Sequence, residues 1–313
     1  MPSTAELKYD TSMASILGQR ERQEDAVASD FSAGEAFGFV VLADGMGGHA
    51  AGDVASKIVV TEVFSALKLA SGDPKVLEPK ICDVLRNATA NANECVGLYA
   101  NERVEAGGMG ATLLAPVLFG DRLYWVSVGD SPLYLFRNNK LERLNENHAL
   151  ESQIEYIVES GIMAREEALS YPDQTCLTSV LIGKKIAQVD CRSLPVRIEA
   201  GDILIAASDG LQFLNEEEIE RVLRFAQKRS ADDIGGALLG ALSKLNDPQQ
   251  DNVSLCIIKA VGREMGQSMG QSMEQGAQAQ EDQIDRSLTR SSTYADTSIT
   301  IIAKIKRPKK VVG

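Results

Sequence analysis

Apolar residues along this chain form short unbroken runs, longer stretches at helical spacing, and tracts that hold few of them. The runs Phe37 to Ala43, Ala111 to Phe119, Leu123 to Val128, Leu133 to Phe136, Ile203 to Ala207 and Val253 to Ile258 predict strands. Ser12 to Gly18, Lys140 to Leu144, Leu177 to Ile182 and Gln188 to Leu194 are read the same way. Helical spacing predicts a helix over Ala51 to Leu69, with Val54, Ile58, Val59, Val63 and Leu67 inward, and a second from Val76 to Tyr99. Further helices are expected over Leu150 to Ser160, Arg165 to Leu169, Glu216 to Phe225 and Asp232 to Leu245. Gly-Asp, Gly-Asp-Ser-Pro and Asn-Asn turns separate the strands from Ala111 to Leu144, which predicts an antiparallel meander with Asn138-Asn139 at a hairpin tip. Strands in runs and helices in pairs point to an α+β protein with antiparallel sheets and outer helices.

Beyond Gly262 the texture changes. Residues 263–297, with GQSM twice in tandem, have the composition of a flexible linker. Ser298 to Lys306 then alternates as a strand would, and the final ten residues hold five basic groups and no acid. Residues 298–313 read as a strand with a basic C-terminal arm, against the default of a frayed terminus.

Composition narrows the function. The 313 residues are 44% hydrophobic and 24% charged, enough for one large domain or two small ones. The net charge of -12 argues against general nucleic-acid binding, since phosphate backbones would be repelled. No apolar run is of bilayer-spanning length, and the N-terminus has no basic start followed by an apolar stretch, so a cytoplasmic location is expected. Five scattered cysteines without a C-x-x-C pair read as reduced thiols. Two histidines leave little for a zinc site, whereas 44 acids supply oxygen ligands for a hard cation.

The run Phe37 to Ala43 stops at Asp44-Gly45-Met46-Gly47-Gly48, after which helical spacing begins. A glycine loop between strand and helix can cradle a phosphate, but the spacing matches neither the Walker lysine motif nor a dinucleotide fingerprint. The other reading takes Asp44 and a peptide carbonyl as ligands for Mg2+ or Mn2+. Asp130, Asp209 and Asp251 repeat the design, each at the edge of an apolar strand, and Arg20, Glu24 and Asp25 follow the first strand. One such acid is a commonplace turn or cap. If several converge, their mutual repulsion calls for cations.

These segments, in this order, resemble the metal-dependent protein serine/threonine phosphatases of type 2C, the PPM family. The likeness rests on R-x-x-x-E-D at Arg20 to Asp25, DGMGGHAAGDVAS at Asp44 to Ser56, GGMGATLL at Gly107 to Leu114 and VGDS at Val128 to Ser131. It continues through LT-x-x-L at Leu177 to Leu181, GDILIAASDGL at Gly201 to Leu211 and DNVSL at Asp251 to Leu255. Met46-Gly47-Gly48-His49 makes the bacterial form the nearer one. The resemblance implies a four-layer α-β-β-α sandwich of two antiparallel β-sheets flanked by helix pairs, in a catalytic domain over residues 1–262. It implies that Asp44 bridges two Mn2+ or Mg2+ ions, that the Gly45 carbonyl completes the first site, and that Asp209 and Asp251 hold the second. Asp130 would join Asp209 around a weaker third ion. Glu24 and Asp25 would act through metal-bound waters, Arg20 would grip the substrate phosphate, and residues 151–175 would form a flap over the cleft.

The implied activity is hydrolysis of phosphoserine and phosphothreonine in proteins, opposing a serine/threonine kinase. Bound cations suit this slow reaction because they activate water and neutralise phosphoryl charge. Pro132 stands where many relatives have Arg, and Ser179-Val180 where many have Arg-Ala; neither position is an expected ligand. His49 is expected to order its loop, and His148 to be structural and far from any ligand. Two other classes remain as alternatives, a catalytically silent phosphatase-like binding module and a glycine-loop nucleotide-binding protein.

Overall fold

A computed structural model describes residues 7–31, 36–47, 51–159 and 176–262. Its strands are β1 (Leu7–Ile16), β2 (Ala26–Phe31), β3 (Phe37–Ala43), β4 (Gly45–Met46), β5 (Gly110–Ala111), β6 (Leu113–Phe119), β7 (Arg122–Val128), β8 (Leu133–Arg137), β9 (Lys140–Arg143), β10 (Val196–Arg197), β11 (Ile203–Ala207) and β12 (Val253–Gly262). The helices are α1 (Ala51–Ala70), α2 (Pro74–Leu77), α3 (Ile81–Glu102), α4 (Leu150–Glu159), α5 (Glu216–Ala226) and α6 (Ala231–Leu245).

Two five-stranded sheets, ordered β1-β12-β11-β8-β9 and β10-β7-β6-β3-β2, carry the fold, and every ladder in them is antiparallel. Side chains alternate across each strand. In β6, Leu113, Ala115 and Val117 meet α1 and α3, while Leu114 and Leu118 enter the layer between the sheets. In β11, Ile203, Ile205 and Ala207 meet α5 and α6, while Leu204 and Ala206 enter the same central layer. Both faces of these strands are therefore dry, which explains unbroken apolar runs in an antiparallel protein. The expected four-layer sandwich is the observed one.

Local chemistry sets the helix ends. Asn215 caps α5 in a reciprocal box with Glu218, and Ser230 caps α6, whose far end is closed by Asn246 in a left-handed conformation. The expected helix over Val76 to Tyr99 is divided instead into α2, a 3-10 turn over Glu78–Lys80, and α3. Pro79 lies in that turn, has no N–H to donate, and breaks the ladder.

Other expectations need correction. The meander splits between sheets: β6 and β7 pair in one, β8 and β9 in the other, and the chain crosses over at Gly129 to Pro132. Leu177 to Ile182 and Gln188 to Leu194 form only isolated bridges, at Leu177, Leu181 and Asp190. Their backbone is satisfied by side chains, Asn93 accepting the Gly183 N–H and Ser179 bonding both N–H and C=O of Gln188. β2 escaped notice because Ser29 and Asp30 interrupt its apolar pattern; Asp30 is buried against Lys68 at 2.7 Å. Asn138 and Asn139 do form the hairpin tip, with φ of 51° and 61°. The flap residues 160–175, His49, and the linker and arm at 263–313 lie outside the described residues.

Candidate metal centre

Antiparallel order places the ends of β1, β3, β7 and β11 and the starts of β2 and β12 at one edge of the sandwich. Arg20, Glu24, Asp44, Gly45, Asp130, Asp209 and Asp251 line a cleft there of about 370 Å3, with Met46, Gly47, Thr112, Leu177 and Asn252. Every expected site residue except Asp25 is in that lining. A larger groove of about 450 Å3 between α1 and α3 has an apolar floor of Val54, Ile58, Leu98 and Tyr99, and no expected site residue lines it.

The segments that carry Glu24, Asp25 and Asp44 are held by backbone, hydroxyl and amide partners. The Asp44 N–H donates to Thr112 Oγ1 at 2.9 Å and the Thr112 N–H returns to the Asp44 carbonyl at 2.8 Å, which ties the end of β3 to the start of β6. Gly45 donates its N–H to the Glu24 carbonyl at 3.1 Å. A Cβ at Gly45 would lie 2.0 Å from the Gly52 carbonyl oxygen, so only glycine lets this turn press on the first turn of α1. Asn252 accepts the Glu24 N–H at 2.8 Å and donates to the carbonyls of Leu17 and Arg22 at 2.8 and 2.9 Å. Asp25 stands behind the cleft, 6% exposed, with Ser208 donating to its Oδ2 at 2.7 Å.

Burial raises the carboxyl pKa values. Asp25 is pushed up to about 7, mainly by desolvation, with the Asp209 charge adding to it. Asp130 rises to about 6 by burial and by Asp209. Asp44 rises well above the usual range, first by burial and then by the charges of Asp25 and Asp209. Asp209 and Glu24 rise for the same first reason. Among the described residues, Oδ1 of Asp25 and Oδ1 of Asp209 are buried without a hydrogen-bond partner. Crowded, desolvated carboxylates with orphaned oxygens are a donor set for hard cations. Their grouping is open: among the described residues no three His, Cys, Asp or Glu side chains close on one point. Arg20 supplies positive charge, its guanidinium donating to Asp251 Oδ2 at 2.5 Å.

Sequence reasoning missed Thr112, Ser208 and the part played by Asn252. The only signal was adjacency, Thr112 inside GGMGATLL and Asn252 directly after Asp251. His148 was misplaced. It is buried, and its Nδ1 accepts the N–H of Gly129, the neighbour of Asp130, at 3.1 Å.

Comparison with known proteins identifies the family. The protein phosphatase 2C family model matches residues 14–246, a span that includes every site residue above except Asp251 and Asn252. A serine/threonine phosphatase stp from Listeria welshimeri is 30% identical over 221 residues, covering 70% of this chain and 83% of that protein. The S. agalactiae serine/threonine phosphatase structure aligns with a TM-score of 0.68 at 27% identity, over 80% of this chain and 99% of its own. A PstP catalytic domain solved with 2 manganese ions aligns at 0.64 and 26% identity, over 82% of this chain and 99% of its own. With a family match across three quarters of its length and an acidic cleft at the shared edge of its two sheets, this chain belongs to the protein phosphatase 2C family.

Proposed function

We propose that the protein is a serine/threonine phosphoprotein phosphatase working with two Mn2+ or Mg2+ ions, held by Asp44, the Gly45 carbonyl, Asp209 and Asp251. Asp130 and Asp209 hold a weaker third. The observation that carries this reading is the gathering of acids from five strand ends at one cleft, with buried oxygens on Asp25 and Asp209 that have no partner among the described residues. When bound, the cations supply an activated water and neutralise phosphoryl charge.

The chain's own residues do the rest. Arg20, whose side chain is 57% exposed, presents a planar fork that matches two phosphoryl oxygens. Glu24, beside Gly45 and Gly52, positions water at the cleft wall. Asp25 acts from behind, its charge felt by Asp44. Residues 1–262 form the catalytic unit. The enzyme works in the cytoplasm and reverses a cognate serine/threonine kinase; among the described residues no helix is long and apolar enough to cross a membrane.

Purified protein is expected to hydrolyse p-nitrophenyl phosphate and a phosphothreonine peptide only with Mn2+ or Mg2+. Asp44→Asn and Asp251→Asn are each expected to lower turnover by about 100-fold or more, with the fold retained. A folded, metal-replete protein inactive on both substrates would overturn the reading.

A further inference from the structure

The loop Gly129 to Pro132, where the chain crosses between sheets, is clamped by the segment that follows β9. Arg143 Nη2 donates to the Asp130 carbonyl at 2.6 Å, and Asn145 Nδ2 to the Ser131 carbonyl at 3.0 Å. His148 takes the first residue of the loop from both sides: its Nδ1 accepts the Gly129 N–H, and its own N–H donates to the Gly129 carbonyl, each at 3.1 Å.

Gly129 is the position that needs such a restraint. Its φ is +108°, and a Cβ there would lie 2.6 Å from Thr112 Cγ2. Only glycine fits, and glycine has the most alternative conformations to lose. A hydrogen bond to a fixed acceptor selects one of them. His148 is 2% exposed, and burial holds its pKa below the ordinary value, which keeps Nδ1 free to accept. The proton then sits on Nε2, which makes no hydrogen bond among the described residues and lies 3.6 Å from Glu146.

His148 reaches a second wall of the cleft. Its carbonyl accepts both the N–H and the hydroxyl of Thr178, at 2.8 and 2.9 Å, next to Leu177 of the cleft lining. Thr112, against which Gly129 packs, also bonds to Ser131 and to the Asp44 N–H. We propose that His148 is a positioning residue for Asp130: by holding Gly129 it sets where the Asp130 carboxylate stands relative to Asp44, Asp209 and the Leu177 wall. This inference rests on the reading of Asp130 as a cation ligand. It acts through loop geometry, not through contact with the substrate.

The test uses His148→Leu, which keeps apolar bulk and removes the acceptor, and His148→Asn, whose amide oxygen stands near the place of Nδ1. In EDTA-treated protein, NMR hydrogen exchange at the Gly129 amide is expected to quicken in His148→Leu and to stay slow in His148→Asn. In calorimetric Mn2+ titrations, His148→Leu is expected to weaken the lowest-affinity binding by about tenfold, with His148→Asn recovering most of it. The Mn2+ concentration for half-maximal activity follows the same order, with KM for p-nitrophenyl phosphate little changed.

Asp130→Asn separates the two ways to fail. If it shifts the weak Mn2+ binding and His148→Leu does not, the positioning role is wrong and the Asp130 reading stands. If neither shifts it, the Asp130 reading itself is wrong, and this inference goes with it. Should His148→Leu not fold, the folded His148→Asn decides: Gly129 protection and weak Mn2+ binding retained together, or lost together, uphold the proposal, and either one lost without the other overturns it.

Discussion

Asp25 shows at the scale of one residue how burial creates a demand for positive charge. Its carboxyl has left water, keeps the Ser208 hydroxyl as a partner, and has its pKa pushed up from 3.8 to about 7. Because the folded state holds that proton more tightly than the unfolded chain, the group's stabilising effect is complete below its unfolded pKa. It is lost as pH rises through about 7. Asp130, raised to about 6, acts in the same direction. EDTA-treated protein should therefore melt at falling temperature as pH is raised through this window, and saturating Mn2+ should flatten the slope; calorimetric scans check both. Gly45→Ala belongs to the same scale: its new Cβ would lie 2.0 Å from a backbone oxygen, so the turn must move. Turnover should drop by about 100-fold or more in Mn2+-saturated assays if the Gly45 carbonyl is a ligand. Asp44, Asp130, Asp209 and Asp251 were legible because each stands at the edge of an apolar run. Thr112, Ser208 and His148 were not, since their partners are distant in the chain and no local pattern marks them.

At the scale of elements, most of the secondary structure follows from local rules. Phe37–Ala43 and Ile203–Ala207 are strands with the expected bounds, because an apolar run between turn residues has few other uses. Two failures have equally local causes, Pro79 and the polar residues of β2, whereas around Gly183 and Gln188 side chains replace a ladder, one of them the distant Asn93. α5 provides a test away from the cleft. Its capping box joins Asn215 and Glu218 reciprocally, and no α5 residue lines the cleft. Asn215→Ala should cost about 1 kcal/mol in urea unfolding and leave kcat unchanged.

At the scale of the whole molecule, three apolar layers hold two sheets and two helix pairs together. Trp125, the only tryptophan, lies fully buried in the central layer and donates to Asp190 at 2.7 Å. Trp125→Ala should cost about 3–5 kcal/mol, read by circular dichroism in denaturant, because it empties the contact between the sheets and strands a buried acid. If residues 1–262 are the catalytic unit, truncation after Gly262 should keep Mn2+-dependent hydrolysis and a cooperative melt. The sequence by itself determined most of the segments that become strands and helices, that their order is that of type 2C phosphatases, and which acids stand at strand ends, since these depend on neighbours along the chain. Only the tertiary structure decided that the strands after Ala111 divide between two sheets, that Arg20 rests on Asp251, that Asp25 lies behind the cleft, and that His148 grips the loop of Asp130. The physical reason is that such contacts join residues far apart in sequence, and their cost and gain exist only after both sheets have closed over a common core.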